Sequence, residues 1–298
     1  MSVNKPIVIA NNQSSTVKNL VHKIALGTVQ FGLDYGISNQ EGKTNESEVK
    51  SILDLAASCG ITLLDTAQAY GNSEEVVGKL HENRFQIVTK INPERDDENA
   101  GLLVQASLNK LQVQRIYAVM FHSAQSALNA PKVHRQLVAL REQGLLHKIG
   151  YSVYRPEELL LLIEKYGDPD IVQIPFSHLD RRFVSIVTEL HSVGVEIHSR
   201  STFLQGLFFL NSDELMPFFN PVKDYLKELE SQFLGRPERA SFLLNFVVSR
   251  PFIDKVVVGV NDTRQLKVNI DGVLNTKDHF EIEQPAIAEE ILLPYLWK

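Results

Sequence analysis

Short apolar runs rich in β-branched residues alternate along the chain with longer stretches of helical periodicity. The runs predict strands at 24–28 (IALGT), 61–65 (ITLLD), 85–89 (FQIVT), 115–121 (RIYAVMF), 148–151 (KIGY), 171–174 (IVQI), 195–199 (VEIHS) and 255–258 (KVVV). Their near-continuous apolar character suits strands buried on both faces of a parallel sheet. The intervening stretches each carry one apolar face. Val49, Ile52, Leu53 and Ala56 follow the i, i+3, i+4, i+7 spacing of an amphipathic helix, and Leu159, Leu162, Ile163 and Tyr166 repeat it. Gly60, Gly144, Gly167 and Gly194 follow helical stretches, where glycine can take a left-handed conformation and stop the helix. Eight strand–helix repeats predict an α/β fold, a closed (β/α)8 TIM barrel in one domain. An open doubly wound sheet is the rival. It usually brings a glycine-rich phosphate loop after its first strand. No G-x-G-x-x-G occurs here, and GNSEEVVGKL has the wrong spacing for a P-loop.

On this reading residues 1–22 are an N-terminal extension that could close the barrel floor as a short hairpin, IVIA against NLVHKI. Residues 23–273 are the barrel, and 274–298 are a C-terminal segment whose closing ILLPYLWK is apolar enough to dock on it. The 298 residues are 44% apolar and 22% charged, the balance of a chain with a sizeable core. The net charge of -6 and the lack of a basic stripe argue against a nucleic-acid partner. The single cysteine, Cys59, cannot form an internal disulfide and sits in a helical pattern as a small hydrophobe. No apolar run approaches the roughly 18 residues of a membrane span. The run IVIA is too short for a secretory signal, so the cytoplasm is the expected location. No seam demands a partner subunit, and a monomer or weak oligomer is expected.

Barrels of this kind place their reacting residues at the C-terminal ends of several strands. The second strand ends in Asp65, with Tyr70 in the loop behind it. The third ends in Lys90 and the fourth in His122. Taken singly, each has a structural explanation: a helix cap, a core aromatic, a solvated charge, a hydrogen-bonded histidine. Jointly, three consecutive strands deliver them to one mouth. A tyrosine hydroxyl with an ordinary pKa of about 10 is a poor acid near neutral pH. A lysine cation beside it favours the phenolate and is expected to lower that value. A carboxylate holds the lysine, and a histidine can hydrogen-bond a carbonyl oxygen. Such a set is a general acid for carbonyl reduction or a general base for alcohol oxidation. No metal-ligand spacing such as H-x-x-x-H is present, so no metal is expected and the hydride must come from a cofactor.

The chain resembles the aldo-keto reductase family over about residues 23–271. The strand-two Asp, the loop Tyr before Gly, the strand-three Lys and the strand-four His of that family match Asp65, Tyr70, Lys90 and His122. LGTVQFG (26–32), AYGNSEEVVGKL (69–80), IGYS (149–152), VQIPF (172–176), LQGL (204–207) and VVVGVNDTRQLKVN (256–269) match in the same order. The resemblance implies an extended nicotinamide cofactor across the barrel mouth. NADP(H) is the family's usual choice, and NAD(H) stays open. It implies that Gly27, Thr28 and Asp65 border the cofactor and that Ser152 and Gln173 hold its carboxamide. The loop with Arg200, Ser201, Leu204 and Gly206 covers the pyrophosphate, and Gly259, Asn261, Arg264, Gln265 and Asn269 meet the adenosine end. Gln30, Phe31 and Tyr35, with Tyr70 and His122, would line the substrate site.

Three positions depart from the family pattern. Val153 stands where an Asn usually follows the strand-five Ser, which removes one carboxamide contact. Arg200 stands where an aromatic often stacks on the nicotinamide. Its guanidinium could lie flat on a ring, reach an anionic group of the substrate, or form a salt bridge with Glu196 or another acid. Asn261 stands where many members grip a 2′-phosphate with Arg or Lys, and Asp262 after it would repel one; Arg264 or Lys267 could compensate. The loop HSAQSALNA after the fourth strand is short, which suits a bulky, polar carbonyl substrate. LGTVQFGLDYGISN resembles a bacterial branch linked to surface-polysaccharide and sugar biosynthesis, which points to a keto-sugar. The expected function is carbonyl reduction with hydride from nicotinamide and a proton from Tyr70. The alternatives are an alcohol or sugar dehydrogenase working in the oxidative direction, and a cofactor-binding regulatory protein with little turnover.

Overall fold

Strand β1 (Ile24–Gly27) pairs in parallel with both β2 (Leu63–Asp65) and β8 (Lys255–Gly259), so the sheet closes on itself and has no edge. The computed structural model describes residues 20–37, 39, 41–233, 235–274, 282, 285 and 287–297. The hairpin expected within residues 1–22 lies almost wholly outside them. Between β2 and β8 run β3 (Gln86–Ile91), β4 (Ile116–Phe121), β5 (Leu146–Ser152), β6 (Ile171–Pro175) and β7 (Glu196–Arg200). Neighbours in the barrel follow chain order throughout. All eight expected strands are present, with no end shifted by more than two residues.

Eight helices cover the strands: α1 (Glu46–Ser58), α2 (Ser73–Leu80), α3 (Ala100–Leu111), α4 (Pro131–Glu142), α5 (Pro156–Tyr166), α6 (Val184–Ser192), α7 (Arg236–Val248) and α8 (Thr263–Leu274). Helix α1 begins where the Asn45 side chain accepts from the backbone N–H of Glu48, and it buries Val49, Ile52, Leu53 and Ala56. It ends at Gly60, whose φ of 83° few other residues tolerate. In α5, Leu159 and Leu162 are buried and Ile163 and Tyr166 pack half-buried on the same core. The short loop after β4 is itself largely helical, Ala124–Asn129, capped by the Ser123 hydroxyl. No helix among the described residues is long and apolar enough to cross a membrane.

Three apolar clusters divide the interior of the described residues. The largest lies between strands and helices. A small one, including Ala25, Leu63, Val88 and Met120, fills the barrel itself. The third joins the insertion between β7 and α7 to the C-terminal segment: Leu204, Leu207, Phe208 and Phe219 pack with Ile291 and Leu292. The barrel floor is polar. Glu196 accepts from Tyr117 Oη at 2.6 Å, pairs with His198 Nε2 at 2.6 Å and holds Lys148. Burial pushes the Glu196 carboxyl up, but His198 and Lys148 outweigh it and hold the pKa down to about 2. Arg200 ends the same strand roughly 13 Å away, which rules out the Glu196–Arg200 bridge.

His122, His134 and His178 are each pushed down to about 4 from an ordinary 6.5, chiefly by burial. Below pH 6.5 the unfolded chain binds protons at these positions that the folded chain refuses. Stability is therefore full above 6.5 and falls as the pH drops through the window from 6.5 to about 4. Urea unfolding across this window is expected to give a steadily lower midpoint toward acid; a flat midpoint contradicts the assignment.

Candidate active site

Parallel pairing sets Asp65 opposite Val88, which brings Lys90 just above it at the barrel mouth. Lys90 Nζ donates to Asp65 Oδ1 at 2.5 Å and to the Thr66 carbonyl at 3.1 Å. Gln173, from β6 across the barrel, donates through Nε2 to Asp65 Oδ2 at 2.7 Å. The Asp65 and Lys90 side chains are 4% and 1% exposed, so the pair is held away from water by the closed barrel. Burial lowers the Lys90 pKa, and Asp65 works against that shift.

Tyr70 follows a tight turn. Its N–H bonds the Ala67 carbonyl, and its own carbonyl accepts from Ser73 N, each at 3.0 Å. The loop Val29–Gly32 packs directly on this turn. A Cβ on Gly32 would stand 1.8 Å from the Tyr70 carbonyl oxygen, so only glycine allows the approach. Lys90 Nζ lies 5.3 Å from the Tyr70 ring centroid, and the His122 ring meets Tyr70 edge-on at 5.5 Å. His122 is placed by its backbone N–H, which continues the β3–β4 ladder to the Ile91 carbonyl at 2.8 Å. The phenol does not behave as the sequence suggests. Burial, and then the Asp65 charge, push the Tyr70 pKa well up, and Arg200 opposes them only in part. Tyr70 is a phenol at neutral pH. His122 is a neutral imidazole, pushed down to about 4 by burial and the Lys90 charge.

These residues open on a cleft of about 780 Å³. Around Tyr70 and His122 it is bordered by Gly27, Thr28, Gln30, Tyr35 and Asp65. Ser152, Gln173, Arg200, Ser201 and Gly206 form the next part of its wall, and Gly259, Asn261, Arg264, Gln265 and Asn269 line it further along. Lys90 lies beneath the wall rather than in it. Two further expected residues do not reach the cleft. Phe31 is fully buried in the main core, and Leu204 is fully buried under the β7–α7 insertion. Both stand in motif segments whose neighbours do line the cleft, and their own side chains turn inward as packing.

Other cleft residues are not expected from the sequence. Tyr154 stands two residues beyond the end of β5, where the strand-end rule could have found it. Thr202 and Gln205 lie within the loop 200–207 that the resemblance already places over the pyrophosphate, while Arg236, at the start of α7, carries no local signal. Arg200 stacks its guanidinium 4.0 Å over the Tyr154 ring. It donates to the Val153 carbonyl at 3.0 Å and to Ser201 Oγ at 3.3 Å. Asp262 serves the architecture. Its Oδ1 caps α8 through the Gln265 N–H at 2.8 Å, and its Oδ2 pairs with Arg264 at 3.0 Å.

Comparison with known proteins settles the family. The model of the aldo/keto reductase family matches residues 23–287. The chain belongs to this family. The reductase is 25% identical over 279 residues to the uncharacterized oxidoreductase YqkF of Bacillus subtilis (strain 168), covering 85% of this chain and 91% of that one. It is 24% identical over 335 residues to Protein tas of Escherichia coli (strain K12), covering 90% and 93%. Its fold superposes on the aldo-keto reductase AKR11C1 from Bacillus halodurans, holo form, with a TM-score of 0.65 at 21% identity, over 93% and 92% of the two chains. As a member of the family it is an NAD(P)H-dependent oxidoreductase that acts on a small carbonyl compound.

The buried pair sets a double test for this reductase. Lys90→Met strands the Asp65 carboxylate in the barrel and is expected to cost about 3–5 kcal/mol in urea unfolding. Adding Asp65→Asn to the same chain is expected to recover much of that stability but none of the turnover. Recovery of both, or of neither, contradicts the role given to the pair.

Proposed function

We propose that the enzyme reduces an aldehyde or ketone, with a hydride from NAD(P)H and a proton from Tyr70, on a polar substrate such as a keto-sugar. The observation that carries this reading is the Asp65–Lys90 pair buried beneath a protonated Tyr70, with a neutral His122 beside it. A tyrosine that enters as the phenol is in the form a carbonyl reduction consumes.

The cleft fits a dinucleotide on two counts. Thr202 Oγ1 and Gln30 Oε1 are buried against it without a hydrogen-bond partner among the described residues. The loop Ser201–Gly206 carries φ values of 65°, 45°, 52° and 96° at Ser201, Leu204, Gln205 and Gly206. Backbone of this kind concentrates N–H donors into anion-binding concavities. We assign Ser152 and Gln173 to the carboxamide, the 201–206 loop to the pyrophosphate, and Gly259, Asn261, Gln265 and Asn269 to the adenosine end. A bound nicotinamide supplies the hydride. The protein does the rest. Tyr70 holds the proton at Oη, and Lys90 and Arg200 offset the negative charge that appears there as it leaves. Asp65 keeps Lys90 in place, and His122 donates one hydrogen bond toward the carbonyl oxygen.

We favour NADP(H) over NAD(H). Asp262 is engaged by its cap and by Arg264, and Arg264 is 83% exposed at the end of the cleft, where it can meet a 2′-phosphate. A cytoplasmic monomer or weak oligomer serving carbohydrate biosynthesis belongs to the same proposal, and the sequence resemblance supports the biosynthetic role.

Titration of the purified protein with NADPH and NADH, read by nicotinamide fluorescence, is expected to show binding of both and tighter binding of NADPH. Tyr70→Phe is expected to lower carbonyl reduction at least about 100-fold and leave cofactor affinity in place. Full activity in that variant removes Tyr70 as the proton donor.

A further inference from the structure

Among the described residues three arginines border the cleft: Arg200, Arg236 and Arg264. Arg200 is the one whose charge reaches Tyr70, His122, Lys90 and Tyr35. The other charges at the inner end cancel. Lys90 is matched by Asp65, and His122 is neutral. Arg200 forms no salt bridge among the described residues; its hydrogen bonds go to the Val153 carbonyl and to Ser201 Oγ. A guanidinium has more N–H donors than these two acceptors take. The inner cleft therefore carries an uncompensated positive charge beside the proton donor.

That charge is also held in a fixed plane. Stacking on Tyr154 leaves the guanidinium edge as its binding face. Tyr154 is braced in turn by Tyr295 of the C-terminal segment, edge-on at 4.8 Å. The same segment is tied down by Glu289, which bridges Arg155 at 3.0 Å and Arg182 at 2.6 Å. A planar fork fixed in this way suits a carboxylate or phosphate better than a neutral hydroxyl.

We propose that Arg200, fixed by Tyr154 and the C-terminal segment, receives an oxyanion of the substrate, so that the enzyme selects carbonyl compounds bearing a carboxylate or a phosphate. This rests on the reductase reading for the reacting carbonyl, and it narrows that reading to acidic aldehydes and ketones. Two matched pairs separate the two oxyanions: succinic semialdehyde against butanal, and glycolaldehyde phosphate against glycolaldehyde. With NADPH present, the native enzyme is expected to prefer the charged member of at least one pair in kcat/KM. Arg200→Gln is expected to raise KM for that charged member about 10- to 100-fold more than for its neutral counterpart. Arg200→Lys, which keeps the charge and loses the fork, is expected to recover part of this difference.

Calorimetry reads the same site without turnover. Succinate is expected to bind the native enzyme–NADPH complex more tightly than succinamide, and Arg200→Gln is expected to remove the difference. If no carbonyl is reduced yet this difference is present, the oxyanion site stands and the reductase reading fails. If Arg200→Gln weakens charged and neutral probes alike, or if the loss falls on NADPH affinity, Arg200 serves the architecture or the cofactor and the proposal is overturned.

Discussion

The contact between Lys90 and Asp65 is the constraint around which the mouth of the barrel is arranged. An ion pair with almost no exposure gains little stability over apolar residues of the same size, because desolvation cancels most of the attraction. It is tolerable here because both partners have further hydrogen bonds, Lys90 to the Thr66 carbonyl and Asp65 to Gln173. Those bonds come from β2, β3 and β6, so they require a closed barrel. A flat sheet would not bring Gln173 back to Asp65. Closure and placement are thus linked: the eight-strand ring gives the pair its dry surroundings, and the pair sets Lys90 Nζ 5.3 Å from the Tyr70 ring centroid.

Much of this is legible in the chain. Buried parallel strands read as continuous apolar runs, and eight such runs with helical spacers leave few architectures. Asp65, Lys90 and His122 stand out jointly, because three consecutive apolar strands each deliver a polar residue to the same mouth. The same logic fails one step away from a strand. Phe31 and Leu204 sit in short helical turns between the strands and the main helices, where sequence does not say which side chain faces the cleft and which faces the core. Tyr154 lies within reach of the strand-end rule, but Arg236 is brought in by long-range packing. The direction of the Tyr70 shift is misread from the sequence because it depends on depth: burial, joined by the Asp65 charge, outweighs Arg200, and depth is a property of the assembled barrel.

The arginine at the end of β7 is held by one stacking contact and two hydrogen bonds. Its guanidinium finds a ring to lie on, but the ring is Tyr154, contributed by the neighbouring β5 loop. Val153 contributes only its carbonyl to the contact. Two departures from the usual family pattern, at 153 and 200, therefore meet in one hydrogen bond. The floor of the barrel is insulated from this exchange, since Glu196 is fully engaged by Tyr117, Lys148 and His198 at the far end of β7.

The loop glycine at 32 has no side chain, no charge and no place in the cleft, yet the backbone of Tyr70 rests against it. The position of Tyr70 is thus written partly at a residue 38 places earlier, as an atom that must be missing. In a library screen such a position behaves like a reactive residue, intolerant of every replacement, although it touches no substrate. For engineering, the practical boundary of this site is drawn by close backbone contacts as much as by the side chains that face the ligand.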